Sequence, residues 1–182
     1  MQIVCVFPAC YNEKRNAAQT GREACRQSTC DHESEVYRML KGISPIISPE
    51  LLKIIAEMGH GDELVISDGN FPGTSIGKRC VRCDGHGAAE VMKAVVALFP
   101  LDDFVKKPMA VMEVPDGMFP GNKAPIWEKF REAADTDMPS AEFDMMEHDA
   151  FIERARNAYA VVQTGETALY GNIIIRKGVV RL

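Results

Sequence analysis

Two of the four histidines lie where a group that transfers protons could work. His60 follows Gly59, a glycine placed to end a helix in the left-handed conformation, so the imidazole belongs to a connection and not to a packed helix face. His148 directly precedes a predicted helix, whose first turn offers free amides and the positive end of the helix dipole. Because imidazole titrates close to neutral pH, either side chain could serve as a general acid and base.

Polar residues beside predicted strands could bind a small hydroxylated ligand. Asp68 directly follows the short buried strand ELVIS (63–67). The tripeptide Tyr170-Gly171-Asn172 lies at the mouth of the last predicted strand and joins a phenol to an amide through a small residue. Binding sites in α/β sheets form at the carboxyl ends of strands and at nearby helix termini. These residues are therefore the candidate ligand-binding side chains.

Each candidate also has a purely structural explanation. A histidine at a helix end can be a cap or a surface residue, and Asp68 could simply shape a turn. Tyr170 could be a half-buried aromatic residue and Asn172 a turn former. Asp62 could orient His60 or stabilise the turn that holds it. Spacing alone therefore indicates an α/β enzyme or a ligand-binding domain and leaves the reaction open.

The six cysteines raise the possibility of a zinc-binding module, because zinc takes thiolate ligands at short spacings. Four of them fall within the first thirty residues, at positions Cys5, Cys10, Cys25 and Cys30. Cys80 and Cys83 form a C-x2-C pair inside KRCVRCDG, which reads as a short extended segment. Residues three apart on a strand point to opposite faces and cannot share one ion. We therefore predict no metal site.

Helices alternate with short apolar strands from residue 48 onwards. Ser48-Pro49-Glu50 is a helix start, with a hydroxyl cap, a proline in the first turn and an acid against the dipole. The pattern predicts further helices over 88–99, 126–134 and from Asp149, and strands over 63–67, 110–114, 159–163 and 172–178. Such alternation is typical of an α/β layered domain with helices on both faces of the sheet.

Residues 1–38 differ from the rest of the chain, because they are polar and irregular, whereas the regular pattern begins after Met39. We predict an N-terminal extension over 1–38 and a domain over 39–182; a separate module linked by cysteines is the alternative. The net charge of −5, with both signs interspersed, argues against nucleic-acid binding. With no apolar run of the roughly 20 residues that span a bilayer and no secretory signal, we expect no membrane segment and a cytoplasmic location.

Several stretches resemble the L-fucose mutarotases and their relatives, the D-ribose pyranases. The resemblance covers about residues 39–182 and is carried by MLKGISPIISPELLKIIAEMGHGDELVISD, RCDG, FIERARNAYAVVQTGE and LYGNIIIRKGV. It implies an isomerase without a cofactor that interconverts the α and β anomers of L-fucose. It also implies a three-layer α/β/α sandwich with a mixed, largely parallel sheet, assembled into a ring-shaped homo-oligomer, a decamer, with sites near the subunit contacts.

The same resemblance assigns roles to individual residues. His60 matches the general acid and base of the family. Asp68, His148, Tyr170, Gly171 and Asn172 match positions that bind the sugar.

The run HDAFIERA (148–155) departs from the RFAFYERA pattern of the fucose enzymes, and His148 stands where the ribose enzymes have histidine. The resemblance therefore leaves three candidate substrates, namely fucose, ribose and galactose. A D-ribose pyranase that interconverts pyranose and furanose forms is one alternative. A monosaccharide-binding protein without catalysis is another.

Overall fold

The computed structural model describes residues 40–181. The predicted extension over 1–38, with Cys5, Cys10, Cys25 and Cys30, lies outside them. The described helices are α1 (Pro49–Glu57), α2 (Gly73–Ile76), α3 (Ala88–Val96), α4 (Ile126–Asp135) and α5 (His148–Asn157), with a short 3-10 turn at Pro120–Asn122. The described strands are β1 (Glu63–Ser67), β2 (Cys80–Cys83), β3 (Met109–Met112), β4 (Phe143–Met146), β5 (Ala160–Thr164) and β6 (Ile173–Arg176).

The six strands form one sheet in the order β2-β5-β1-β6-β3-β4. The last strand, β6, runs antiparallel to both of its neighbours, β1 and β3, and the other pairings are parallel. The end of the sheet where β1 to β5 finish and β6 begins is called here the carboxyl end, and the opposite end is the amino end. The prediction of a mixed, largely parallel sheet is confirmed.

Alternate residues of each central strand pack into two separate cores, one on each face of the sheet. On β1, Leu64 and Ile66 pack against α1, α3 and α4, whereas Val65 faces the other way. Val65 packs in the second core with Phe151 and Ala155 of α5. This division follows from the two-residue period of a strand with both faces covered. The predicted three-layer α/β/α arrangement is confirmed.

The turn after α1 differs in detail from the prediction. The Ser48 hydroxyl accepts a hydrogen bond from the amide of Leu51 at 3.1 Å, as expected for the predicted cap. Gly59, however, is not the left-handed residue, because the positive φ of +86° falls at Gly61. The Asp62 carboxylate holds the turn by accepting the amide of Gly59 at 2.7 Å.

Two elements were not predicted, α2 and β4. The first has four residues and is too short for a helical period to be read. The second lies at the edge of the sheet, and its sequence FDMM is partly exposed and lacks a clear alternation of apolar and polar residues. No helix within residues 40–181 is long and apolar enough to cross a membrane.

Replacement of Phe151 tests the core between α5 and the sheet. Phe151 is fully buried and its ring lies edge-on to that of Phe71, with centroids 6.3 Å apart. Phe151→Ala should lower the free energy of unfolding by about 3–5 kcal/mol, because it removes a buried ring and leaves a cavity. Phe151→Leu should cost clearly less. Denaturant unfolding of both variants measures this, and equal losses would contradict the packing described.

Candidate functional site

The buried pair of Asp68 and Asn172 anchors the carboxyl end of the sheet. Asp68 follows β1 and Asn172 precedes β6, so the antiparallel register of these strands brings the two residues together. The Asn172 amide donates to Asp68 Oδ2 at 2.7 Å, and its oxygen accepts the Asp68 backbone N–H at 2.9 Å. Asp68 Oδ1 accepts a further hydrogen bond from the Asn70 backbone amide at 2.9 Å. Since only 7% of Asp68 and 6% of Asn172 are exposed, these bonds fix a rigid polar wall.

Tyr170 and Gly171 lead into β6 through an unusual backbone. Tyr170 has a φ of +59°, in the left-handed region that residues other than glycine rarely adopt. Its carbonyl accepts a hydrogen bond from Trp127 Nε1 at 3.3 Å, and its ring lies edge-on to Phe119. A Cβ on Gly171 would meet the Ala168 carbonyl oxygen at 2.9 Å. The glycine is therefore required by close packing, and it sets the direction of its two neighbours.

His148 belongs to α5, which faces the same region. It is the first residue of the helix, and Glu147 is the cap, accepting the amides of Asp149 and Ala150. The helix therefore begins one residue earlier than the sequence pattern predicts. The imidazole Nδ1 lies 2.9 Å from Asp149 Oδ1, and the side chain is exposed.

Together these elements enclose an open cleft of about 540 Å³, called here the Asp68 cleft. Its lining residues are Asp68, Asn70, Phe71, Pro72, Ser75, Ile76, Met112, His148, Ile152, Arg156, Tyr170 and Asn172. The lining combines polar side chains with apolar ones, which is the usual composition of a small-molecule site. The structure thus brings four of the predicted site residues together, namely Asp68, His148, Tyr170 and Asn172. Gly171 joins two of them without lining the cleft.

His60 lies at the other end of the sheet. It precedes β1, whereas Asp68 follows β1, and a five-residue strand is about 17 Å long. Within one chain the imidazole therefore does not reach the Asp68 cleft. The His60 side chain is 44% exposed, and its ring centroid lies 5.2 Å from that of Phe104, a residue that is itself 68% exposed.

A buried carboxylate faces the His60 imidazole. Nε2 of His60 lies 3.1 Å from Asp102 Oδ1, and Arg176 Nε donates to Asp102 Oδ2 at 2.8 Å. Burial acts to raise the pKa of Asp102, but hydrogen bonds from the Phe104 amide, His60 and Arg176 outweigh it, so this pKa lies below the usual value. Of the alternatives for Asp62, the structure supports stabilisation of the turn, since its carboxylate accepts the Gly59 amide.

The two described cysteines are not placed as a pair of metal ligands. Cys83 is buried in the core, whereas Cys80 is partly exposed and its sulfur lies 3.8 Å from the Thr74 hydroxyl. Both are free thiols. Within residues 40–181, no group of three or more His, Cys, Asp or Glu side chains could hold a metal ion.

Two residues near the predicted site residues were not predicted from the sequence: Asp102, which faces His60, and Arg156, which lines the Asp68 cleft. Asp102 stands 42 residues after His60, in a segment without a recognised motif. Arg156 could have been found, because His148, Ile152 and Arg156 are spaced by four residues and so share one face of α5. It adds a cation to the rim of the cleft.

Known proteins are similar in sequence to most of this chain. The model of the RbsD / FucU transport protein family matches residues 41–180. A fucose mutarotase from Danio rerio is 46% identical over 146 residues, covering 78% of this chain and 95% of the relative. An L-fucose mutarotase from Actinobacillus pleuropneumoniae is 49% identical over 144 residues, covering 78% of this chain and 97% of the relative.

Solved structures agree with the fold. FucU from Bifidobacterium longum superposes with a TM-score of 0.72 at 48% identity, covering 78% of this chain and all of that structure. The fucose mutarotase from Streptococcus pneumoniae, solved in complex with L-fucose, gives a TM-score of 0.70 at 41% identity over 78% of this chain and all of that one. The predicted family is confirmed: the chain belongs to the RbsD / FucU family.

Proposed function

We propose that the protein is an isomerase, a mutarotase that interconverts the α and β anomers of L-fucose without a cofactor. The observation that carries this proposal is the Asp68 cleft, where Asp68 and Asn172 form a rigid polar wall beside Tyr170 and His148. The activity named for the relatives at 46% and 49% identity supports the same reaction. A cytoplasmic location remains a prediction.

The mixed lining of the cleft suits a deoxysugar. Asp68 and Asn172 present oxygen and nitrogen atoms that can accept from and donate to ring hydroxyls. Apolar side chains of Phe71, Ile76 and Ile152 also line the cleft. The pyranose ring of L-fucose carries a hydroxyl on every carbon except one, and that carbon carries a methyl group where related hexoses have a hydroxymethyl group. In this proposal Asp68 and Asn172 bind the hydroxyls and the apolar side chains contact the methyl group.

A second copy of the chain supplies His60 in this proposal. One chain holds its imidazole at the amino end of the sheet, about one strand length from its own cleft. Both regions carry exposed apolar side chains, with Phe104 68% exposed beside His60 and Leu169 57% exposed next to Tyr170 in sequence. Such side chains are typical of surfaces that contact a partner. We therefore propose a closed homo-oligomer in which each site is shared between copies. The proposed decameric size rests on the resemblance to the L-fucose mutarotases.

The reaction needs one proton to move between two oxygens of the sugar. In the proposed step, the imidazole takes the proton of the anomeric hydroxyl while the bond from the anomeric carbon to the ring oxygen breaks. The anomeric carbon becomes an aldehyde, and the imidazolium returns its proton to the ring oxygen. The aldehyde rotates, and the reverse sequence closes the ring on its other face. Because both oxygens are bonded to the same carbon, one imidazole can serve both.

Removal of the His60 imidazole tests the catalytic role. His60→Ala should slow anomer exchange by about 10²–10⁴-fold, since it removes the general acid and base. NMR saturation transfer between the anomers of L-fucose measures the rate. His86→Ala is the matched control, because His86 pairs with Glu90 on the surface and should keep wild-type exchange. Wild-type protein that binds fucose but leaves exchange at the solvent rate would instead indicate a non-catalytic binding protein.

Mixing of two inactive variants tests the shared site. His60→Ala and Asp68→Asn should each be inactive alone. When they are co-expressed in equal amounts, roughly a quarter of wild-type activity should return, because a working site needs an intact residue from each of two copies. If the mixture stays as inactive as its components, His60 and Asp68 do not meet across a subunit contact.

Position 148 supports a second candidate function, the pyranase reaction on D-ribose. His148 lines the Asp68 cleft, where the fucose enzymes are expected to carry arginine. His148→Arg should lower the ratio of ribose exchange to fucose exchange, because a longer, permanently charged side chain reaches further into the cleft. Exchange rates on fucose, galactose and ribose for both proteins measure the ratio. An unchanged ratio would remove position 148 as a determinant of the sugar.

A further inference from the structure

We infer that Glu166 is a positioning residue for sugar binding, which holds residues 167–171 in the conformation that the Asp68 cleft requires. This segment, called here the Tyr170 turn, leads into β6. The inference rests on the proposed function, because it assumes that the sugar binds in that cleft. It goes beyond that function by naming a residue that sets the affinity for the sugar without lining the cleft.

The Tyr170 turn contains a backbone conformation that needs support. Tyr170 has a φ of +59°, and a residue other than glycine keeps such a conformation only where its surroundings enforce it. Thr167 and Leu169 of the same turn are exposed, so they do not anchor it in a core. Without contacts from elsewhere, Tyr170 would relax to a negative φ, and its phenol would leave the place it has in the cleft. Other residues must therefore hold the turn.

The Glu166 side chain supplies this support from inside the bend. Its Oε1 accepts hydrogen bonds from the backbone amides of Thr167 and Ala168, each at 3.0 Å. Hydrogen bonds to an ionised carboxylate are stronger than those between neutral groups. The aliphatic part packs on the other end of the turn, since a Cβ on Gly171 would meet Glu166 Cγ at 2.9 Å. One side chain thus binds the start of the turn and contacts its end.

The second carboxylate oxygen of Glu166 anchors the turn to a core helix. Oε2 accepts a hydrogen bond from the Ala88 amide at 3.3 Å, in the first turn of α3. Gly87, the N-cap of α3, has no side chain that could do this, and the helix dipole favours an anion at this end. Ala88 and Val91 of α3 are fully buried. The carboxylate therefore connects an exposed turn to a rigid part of the fold.

The backbone around Glu166 connects the same turn to the segment that carries Asp68. The Glu166 carbonyl accepts the Gly69 amide at 3.0 Å. The Thr164 hydroxyl donates to the Ser67 carbonyl at 2.7 Å and accepts the Glu166 amide at 3.2 Å. Glu166 thus lies between the two segments that supply the polar wall of the cleft. A change at this residue should affect sugar binding, although the residue does not contact the sugar.

Two replacements separate the hydrogen bonds of Glu166 from its packing. Glu166→Met keeps an aliphatic stem against Gly171 but removes both acceptors. KM for L-fucose should then rise about tenfold, because only about one turn in ten stays competent to bind. Glu166→Gln keeps one oxygen, which can still accept the two turn amides, so its KM should stay near the wild-type value. In both variants kcat should change little, because His60 is untouched.

NMR measurements of anomer exchange over a series of L-fucose concentrations give KM and kcat. Glu132→Met is the matched control, because Glu132 is exposed on α4, and it should keep both values. Trp127, the only tryptophan of the chain, donates to the Tyr170 carbonyl and so reports on the turn. In protein labelled with fluorotryptophan, its ¹⁹F signal should shift in Glu166→Met and stay in place in Glu166→Gln. A merely structural role would lower the melting temperature and leave KM unchanged.

The outcomes separate this inference from the proposed function. A Glu166→Met variant with wild-type KM would overturn the positioning role. Where that variant does not fold, hydrogen–deuterium exchange of the wild-type protein decides. The amides of Thr167 and Ala168 should exchange more slowly than that of Leu169, which has no acceptor among residues 40–181, and equal rates would overturn the role. Wild-type protein that fails to accelerate anomer exchange would overturn the proposed function, and the ¹⁹F signal would still show whether Glu166 holds the turn.

Discussion

The antiparallel strand β6 is the constraint on which both halves of the proposed site depend. It lies between β1 and β3, and its direction opposes theirs. At its start, Asn172 pairs with Asp68 beyond the end of β1. At its end, Arg176 pairs with Asp102, which faces His60. One strand therefore supplies a polar partner to each end of the sheet, and a shift in its register would disturb both.

Both ends use a buried carboxylate that is fully provided with donors. Asp68 is held by an amide side chain and a backbone N–H, and Asp102 by a guanidinium and a backbone N–H. Burying a carboxylate is unfavourable unless such partners satisfy it. Because each group is fixed before a ligand arrives, neither end has to reorganise in order to bind or to move a proton. The strand between them keeps the two ends apart, and this separation is why we propose that a second copy completes the site.

The sequence was sufficient for the layers, because they follow from local rules. Buried strands such as ELVIS and the capped start of α1 are visible in the pattern of residues. Asp68 could be predicted as a site residue because sites collect at the carboxyl ends of strands. Asn172 precedes β6 and lies at the same end of the sheet only because that strand is antiparallel. The edge strand β4 was missed, since partly exposed residues show no alternation.

The position of His60 could also have been derived from the sequence. His60 and Asp68 flank one predicted strand, so a strand length separates them whatever the rest of the fold does. The role of Asp102 as the partner of His60 could not be derived from the sequence. Their pairing is a contact across 42 residues that no local pattern encodes. Contacts of this kind arise from tertiary packing, and propensity and spacing carry no signal for them.

A crystal structure of the assembled protein with L-fucose bound would test the shared site most directly. The account predicts a sugar held by Asp68 and Asn172 of one copy, with the imidazole of another copy's His60 within hydrogen-bond distance of the ring oxygen or the anomeric hydroxyl. A sugar bound in the Asp68 cleft with no imidazole of any copy near its anomeric carbon would contradict it.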